Sequence, residues 1–126
     1  MSMSVFVSHV FEDRVYRDQL NGWAQRGLLG DVVITGETAD VRQGGDRAIQ
    51  SHLNPYLKGA GALLVLVGQN SHNRPWLDHE VQHAQSHHKK ILVVRIGGTN
   101  GAAPPAVRGY GELLLDPTAI RRALGT

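Results

Sequence analysis

Ala62-Leu63-Leu64-Val65-Leu66-Val67 is an unbroken apolar run of strand length. It reads as a buried strand, and strands that are apolar throughout, not alternating, belong to parallel sheets covered on both sides. Directly after it comes Ser71-His72-Asn73-Arg74-Pro75-Trp76-Leu77-Asp78-His79-Glu80. This stretch opens a helix expected over Trp76 to His88, with Pro75 near the first turn, where a missing N–H costs nothing. The helix sets Trp76 and Glu80 one turn apart on one face.

Similar units lie on either side. Val5-Phe6-Val7, Val32-Val33-Ile34, Ile91-Leu92-Val93-Val94 and Leu113-Leu114-Leu115 are further short β runs. Between the first two, Phe11 to Arg26 carries Val15, Leu20, Trp23 and Ala24 at roughly helical spacing. Glu12 and Asp13 lie near its start, where the helix dipole favours acids, and Gly27 and Gly30 bracket its end. A polar, glycine-rich loop from Gly36 to Gly45 follows the second run. Asp46 then caps a segment with Ala48, Ile49, Leu53 and Leu57 on one face, which Pro55 ends or kinks. After the fourth run a loop spans Gly97 to Pro105, and Asp116-Pro117 starts a short C-terminal helix.

Strands alternating with helices predict an α/β fold, a parallel sheet covered on both faces. Right-handed crossovers reduce the topologies to a few, of which the flavodoxin-like doubly wound order 2-1-3-4-5 is expected. Such sheets bind ligands beyond the carboxyl ends of the strands, between strands 1 and 3. Those ends are Ser8-His9 and Gly68-Gln69-Asn70-Ser71.

The chain has 126 residues, which predicts one domain over 1–126 with a core that needs no staples. Hydrophobic residues make up 41% and charged residues 19%, the balance of a soluble globular protein. Without cysteine there is no disulfide framework and no thiol chemistry, which fits a reducing compartment such as the cytoplasm. Neither a signal peptide nor an apolar run long enough to span a membrane is expected. Net charge is +2 with dispersed basic residues, so neither nucleic acid nor membrane is an expected partner.

Two chemistries compete around Glu80. His79-Glu80-Val81-Gln82-His83 spells H-E-x-x-H, in which two histidines bind zinc and the glutamate activates water. That pattern needs a third ligand, and six residues after His83 stands Lys89. With Val81 and Ala84 facing a sheet, His79, His83 and His87 form a stripe most simply read as solvated. No metal is therefore expected. In the other reading, a carboxylate beside an indole at the mouth of a parallel sheet is placed to break a glycosidic bond. Trp76 then walls the pocket or packs the helix on the sheet, and Glu80 is either functional or a helix acid stabilised by the dipole.

The residues together resemble a TIR domain (Toll/interleukin-1 receptor type) of the short prokaryotic branch. Val5-Phe6-Val7-Ser8-His9 with Phe11-Glu12-Asp13 is similar to the opening F-I-S-[YH]-x-x-x-D. Arg42-Gln43-Gly44-Gly45-Asp46 to Ile49 resembles the BB loop. The third strand with Ser71, Trp76 and Glu80 resembles I-V-x-L-S-x-x-x-x-x-S-x-W-x-x-x-E, and Ile91 to Ile96 resembles the next strand. The chain departs from the pattern at Arg74, where serine is usual, at Leu77, where cysteine is common, and in a BB loop without proline. The glutamate stays in place. In style the chain is most similar to the small TIR-like proteins of Thoeris anti-phage systems.

This resemblance implies cleavage of the nicotinamide–ribose bond of NAD+, bound as substrate with no cofactor, and Glu80 as the catalytic carboxylate. It also implies an ADP-ribose-derived product that activates a separate effector protein. For the substrate it points to Ser8, His9, Phe11, Arg42, Gly44, Ser71 and Trp76. Ser8 and His9 would meet phosphate or ribose, although His9 also reads as a polar strand cap. Phe11 would contact a base or else sit in the core. Arg42 would meet the pyrophosphate, and Gly36, Gly44 and Gly45 would form a lid or an ordinary surface loop. The alternative is a non-catalytic adaptor acting by assembly with other TIR chains, head to tail.

Overall fold

A computed structural model describes residues 3–9, 13–35, 59–69, 75–101, 103, 107 and 109–125, with backbone alone at 75–79. Five strands form one parallel sheet: β1 (Met3–Ser8), β2 (Val32–Thr35), β3 (Ala62–Val67), β4 (Lys90–Arg95) and β5 (Glu112–Leu114). The order is β2-β1-β3-β4-β5, as the alternation of apolar runs and helices predicts. Register runs Val5 against Ile34 and Ala62, Leu64 against Leu92, and Val94 against Leu113.

Every residue of β3 is buried, because β3 is the middle strand and both faces are covered. The edge strands differ from the expectation of continuous burial. Val33 of β2 is 49% exposed and Leu114 of β5 is 74% exposed, since neither edge is fully overlaid. The fifth strand also lies one residue earlier than the leucine run suggests, at Glu112–Leu114. Leu113 and Leu115, half-buried, pack on the core.

Side-chain alternation divides the interior in two. Val5, Val7, Leu64, Leu66, Leu92 and Val94 share one core with Leu20 and Trp23 of α1 (Arg14–Gln25) and Ile120 and Leu124 of α3 (Pro117–Leu124). Phe6, Leu63, Val65, Val67 and Val93 share the other with Val81 and Ala84 of α2 (Pro75–Ser86). Val15 does not join the first core and is 61% exposed. At about 100° per residue it lies about 140° round the helix from Leu20, whereas Tyr16, Trp23 and Ala24 flank Leu20.

The helix ends follow local chemistry. Asp116 caps α3 by accepting from the Ala119 N–H at 2.9 Å, with Pro117 behind it, and Gly125 closes the helix in the left-handed region. Gly27, also left-handed, ends α1 as its N–H donates to the Ala24 carbonyl and that of Leu28 to Trp23. No described helix is long and apolar enough to cross a membrane. The expected loop from Gly36 to Gly45 and the segment from Asp46 to Leu57 lie outside the described residues.

Candidate functional site

Among the described residues, the buried polar or charged side chains are Ser8, His9, Asp13 and Glu80. All four belong to the carboxyl end of the sheet. Ser8 ends β1 opposite Val65, and alternation places it with Phe6 on the face that α2 covers. It is fully buried, and its Oγ has no hydrogen-bond partner among the described residues. His9 follows at once and is also buried.

Glu80 sits in the second turn of α2. This helix starts after the carboxyl end of β3 and runs back to the amino end of β4, so its first half lies at the strand ends. Val81 and Ala84 face the sheet as expected and are fully buried. Glu80 shares that inward arc and is 4% exposed, with both carboxylate oxygens shielded from solvent. A carboxylate in such a place costs several kcal/mol unless polar neighbours compensate it, roughly as for any buried ion.

Asp13 was legible only as an acid near a helix start. It does occupy the cap position of α1, but its side chain makes no capping bond. Its carboxylate lies on Gly68 instead. A Cβ on Gly68 would stand 2.6 Å from Asp13 Oδ2, so only glycine fits beneath it. The peptide from Gly68 to Gln69 is also covered by Gly101, where a Cβ would come within 2.6 Å of the Gln69 carbonyl carbon. No sequence motif marks either close approach.

Arg95, the last residue of β4, holds this layer from the far side. Its Nε and Nη2 donate to the two Glu112 carboxylate oxygens at 3.1 and 2.7 Å, and its Nη1 donates to the Gly101 carbonyl at 2.6 Å. The hydrogen bond from Arg95 lowers the Glu112 pKa below its ordinary 4.5, and the guanidinium charge acts in the same direction.

Of the residues singled out for the substrate, Ser8 and His9 stand at the carboxyl end of β1, and Glu80 lies in the helix that follows the carboxyl end of the neighbouring β3. Trp76 has its backbone one turn before Glu80 on α2, while its side chain lies outside the described residues, as do Phe11, Arg42, Gly44 and Ser71. The histidine stripe is less solvated than expected. His87 is exposed, but His83 is half-buried because it lies beside the inward arc of Glu80 and Ala84. The two rings stack at 4.3 Å, and His87 Nδ1 donates to the His83 carbonyl at 2.9 Å. Among the described residues no group of three or more His, Cys, Asp or Glu side chains is placed to hold a metal ion.

No curated protein matches the chain. The family model described as Thoeris protein ThsB, TIR-like domain, matches residues 6–101, from Phe6 in β1 through the Glu80 helix to Gly101 over the Gly68–Gln69 peptide, and the chain belongs to that family.

Proposed function

We propose that the chain, as one TIR-like domain over 1–126, cleaves the nicotinamide–ribose bond of NAD+ with Glu80 as the catalytic carboxylate. The observation that carries this reading is the burial of Glu80 at the carboxyl edge of a parallel sheet. A helix that only packed on the sheet would place an apolar residue there, as it does at Val81 and Ala84. Buried ionisable groups in a cleft are where chemistry concentrates.

The bond between ribose C1′ and the pyridinium nitrogen breaks with its electron pair going to nitrogen. Nicotinamide leaves neutral, so no strong general acid is required. The ribose passes through an oxocarbenium-like state, and the Glu80 carboxylate offsets its developing positive charge. Ser8 and His9 supply a hydroxyl and an imidazole for ribose or phosphate oxygens, Arg42 serves the pyrophosphate, Phe11 and Trp76 the rings, Gly44 belongs to a lid, and Ser71 is a further substrate contact. C1′ is then captured by water or by an amino acid, which lose a proton as they add, or by a ring nitrogen of the adenine of the same molecule, which takes up the positive charge. The product serves as a signal for a separate effector protein in the cytoplasm, in anti-phage defence, and association with other TIR chains completes or switches on the site.

The test is incubation of concentrated, metal-free protein with NAD+ and identification of products by mass spectrometry, with Glu80→Gln alongside. Wild type should release nicotinamide, and Glu80→Gln, folded to the same extent, should lose on the order of 10²-fold or more of that rate, as loss of a transition-state electrostatic partner does. The mass of the second product identifies the acceptor. Wild type that turns over no NAD+ even when forced to oligomerise would overturn the proposal in favour of an adaptor working by assembly.

A further inference from the structure

We propose that Arg95 is a positioning residue of this site: clamped by Glu112, it fixes Gly101 on the Gly68–Gln69 peptide and thereby sets the height of Asp13 at the strand ends. This inference rests on the NAD+-cleaving reading and adds to it a residue that would touch no substrate.

Four contacts carry the argument in series. The guanidinium spends two donors on the two oxygens of Glu112, at 3.1 and 2.7 Å, which fixes its plane. A third donor then reaches the Gly101 carbonyl at 2.6 Å, so the loop after β4 is tied to a side chain that cannot rotate away. Gly101 is buried and lies flat on the backbone of Gly68 and Gln69, where a Cβ would be 2.5 Å from the Gly68 carbonyl oxygen. The Asn100 N–H adds a second tie, donating to Gln69 Oε1 at 3.3 Å. Across Gly68 lies the buried Asp13 carboxylate.

Glycines stand at both contact points, and neither leaves room for a methyl group. The layers therefore have no slack, and a shift at Gly101 passes to Gly68 and on to Asp13. The same peptide leads from β3 toward the helix that carries Glu80, and misplacing a reacting group by about 1 Å costs on the order of 10²-fold in rate. A clamp remote from the substrate therefore changes turnover more than binding.

The experiment compares wild type with Arg95→Lys, which keeps the charge and loses the fork. Ile120→Val in α3, in the core on the face of the sheet away from α2, serves as a matched destabilised control. Nicotinamide release is measured per folded molecule, together with hydrogen exchange at the Asn100 and Val94 amides. Arg95→Lys should lower kcat at least tenfold with KM within about twofold, consistent with lost positioning. Asn100 exchange should quicken while Val94 stays protected, and Ile120→Val should leave kcat unchanged. An Arg95→Lys enzyme with wild-type kcat overturns the role of Arg95 and leaves the NAD+ reading standing. Equal kcat losses in Arg95→Lys and Ile120→Val overturn it as well, because stability alone would then explain the effect. A wild type that releases no nicotinamide even when forced to oligomerise overturns the NAD+ reading, and the role of Arg95 falls with it.

Discussion

Gly68 is where a single methyl group has the clearest effect. A Cβ there would stand 2.6 Å from Asp13 Oδ2 and 3.1 Å from its Cγ. The Asp13 side chain is short, and its backbone is fixed as the cap of α1, so it cannot swing aside without moving the helix start. Gly68→Ala is therefore expected to cost about 1–3 kcal/mol, the usual range for overpacking. In an Asp13→Ala background the same change should cost less. Urea midpoints for the four proteins of this cycle measure the coupling, and strictly additive costs would show that the two residues do not meet. At this scale the sequence is legible in part. The inward position of Glu80 follows from helical period, because Val81 and Ala84 fix the face on which it lies. Asp13 was hidden, because an acid at a helix start ordinarily serves the helix itself. Here its carboxylate lies on Gly68, just past the end of β3 and remote in sequence.

Among the elements, α2 ends unusually. The N–H of His88 donates to the Gln85 carbonyl and that of Lys89 to the Ala84 carbonyl, the pair of bonds that closes a helix through a left-handed residue. That residue is His88, with φ of 55°, where glycine is the common choice. An L side chain in this region costs about 1–2 kcal/mol. His88→Gly should therefore stabilise the protein, by about 0.5–1 kcal/mol once the greater freedom of glycine in the unfolded chain is deducted. A Tm unchanged or lowered by His88→Gly would show that the histidine side chain contributes a compensating contact. The absence of glycine also explains why the sequence carries the helix on to His88, whereas it stops at Ser86. Where a glycine does stand in the turn, as at Gly27, the helix end is legible from the sequence.

Over the whole molecule, the strand order was the most legible property, because apolar runs alternating with helical segments leave parallel pairing with few alternatives. What holds the last strand was legible only in part, since β5 pairs over three residues and a side-chain pair adds to its link with β4. Arg95 depresses the Glu112 pKa in the folded state below 4.5. The stability this pair contributes is thus fully present above that value and is lost as pH falls through the lowered one. Glu112 is partly exposed, so the effect is modest and screened by salt. The gap in urea midpoint between wild type and Glu112→Gln should be open at neutral pH and close in acid well below 4.5. A gap that persists there would assign the effect to something other than ionisation. The position of β1 in the sheet has a consequence in time. The strand of this sheet made first is an interior one, and its partner on one side, joined Val5 to Ala62, lies far along the sequence. Pairing across such a separation is slow. Until β3 emerges from the ribosome, β1 has β2 alone beside it in the sheet, and Phe6 lacks Val81 and Ala84 of the helix that carries Glu80.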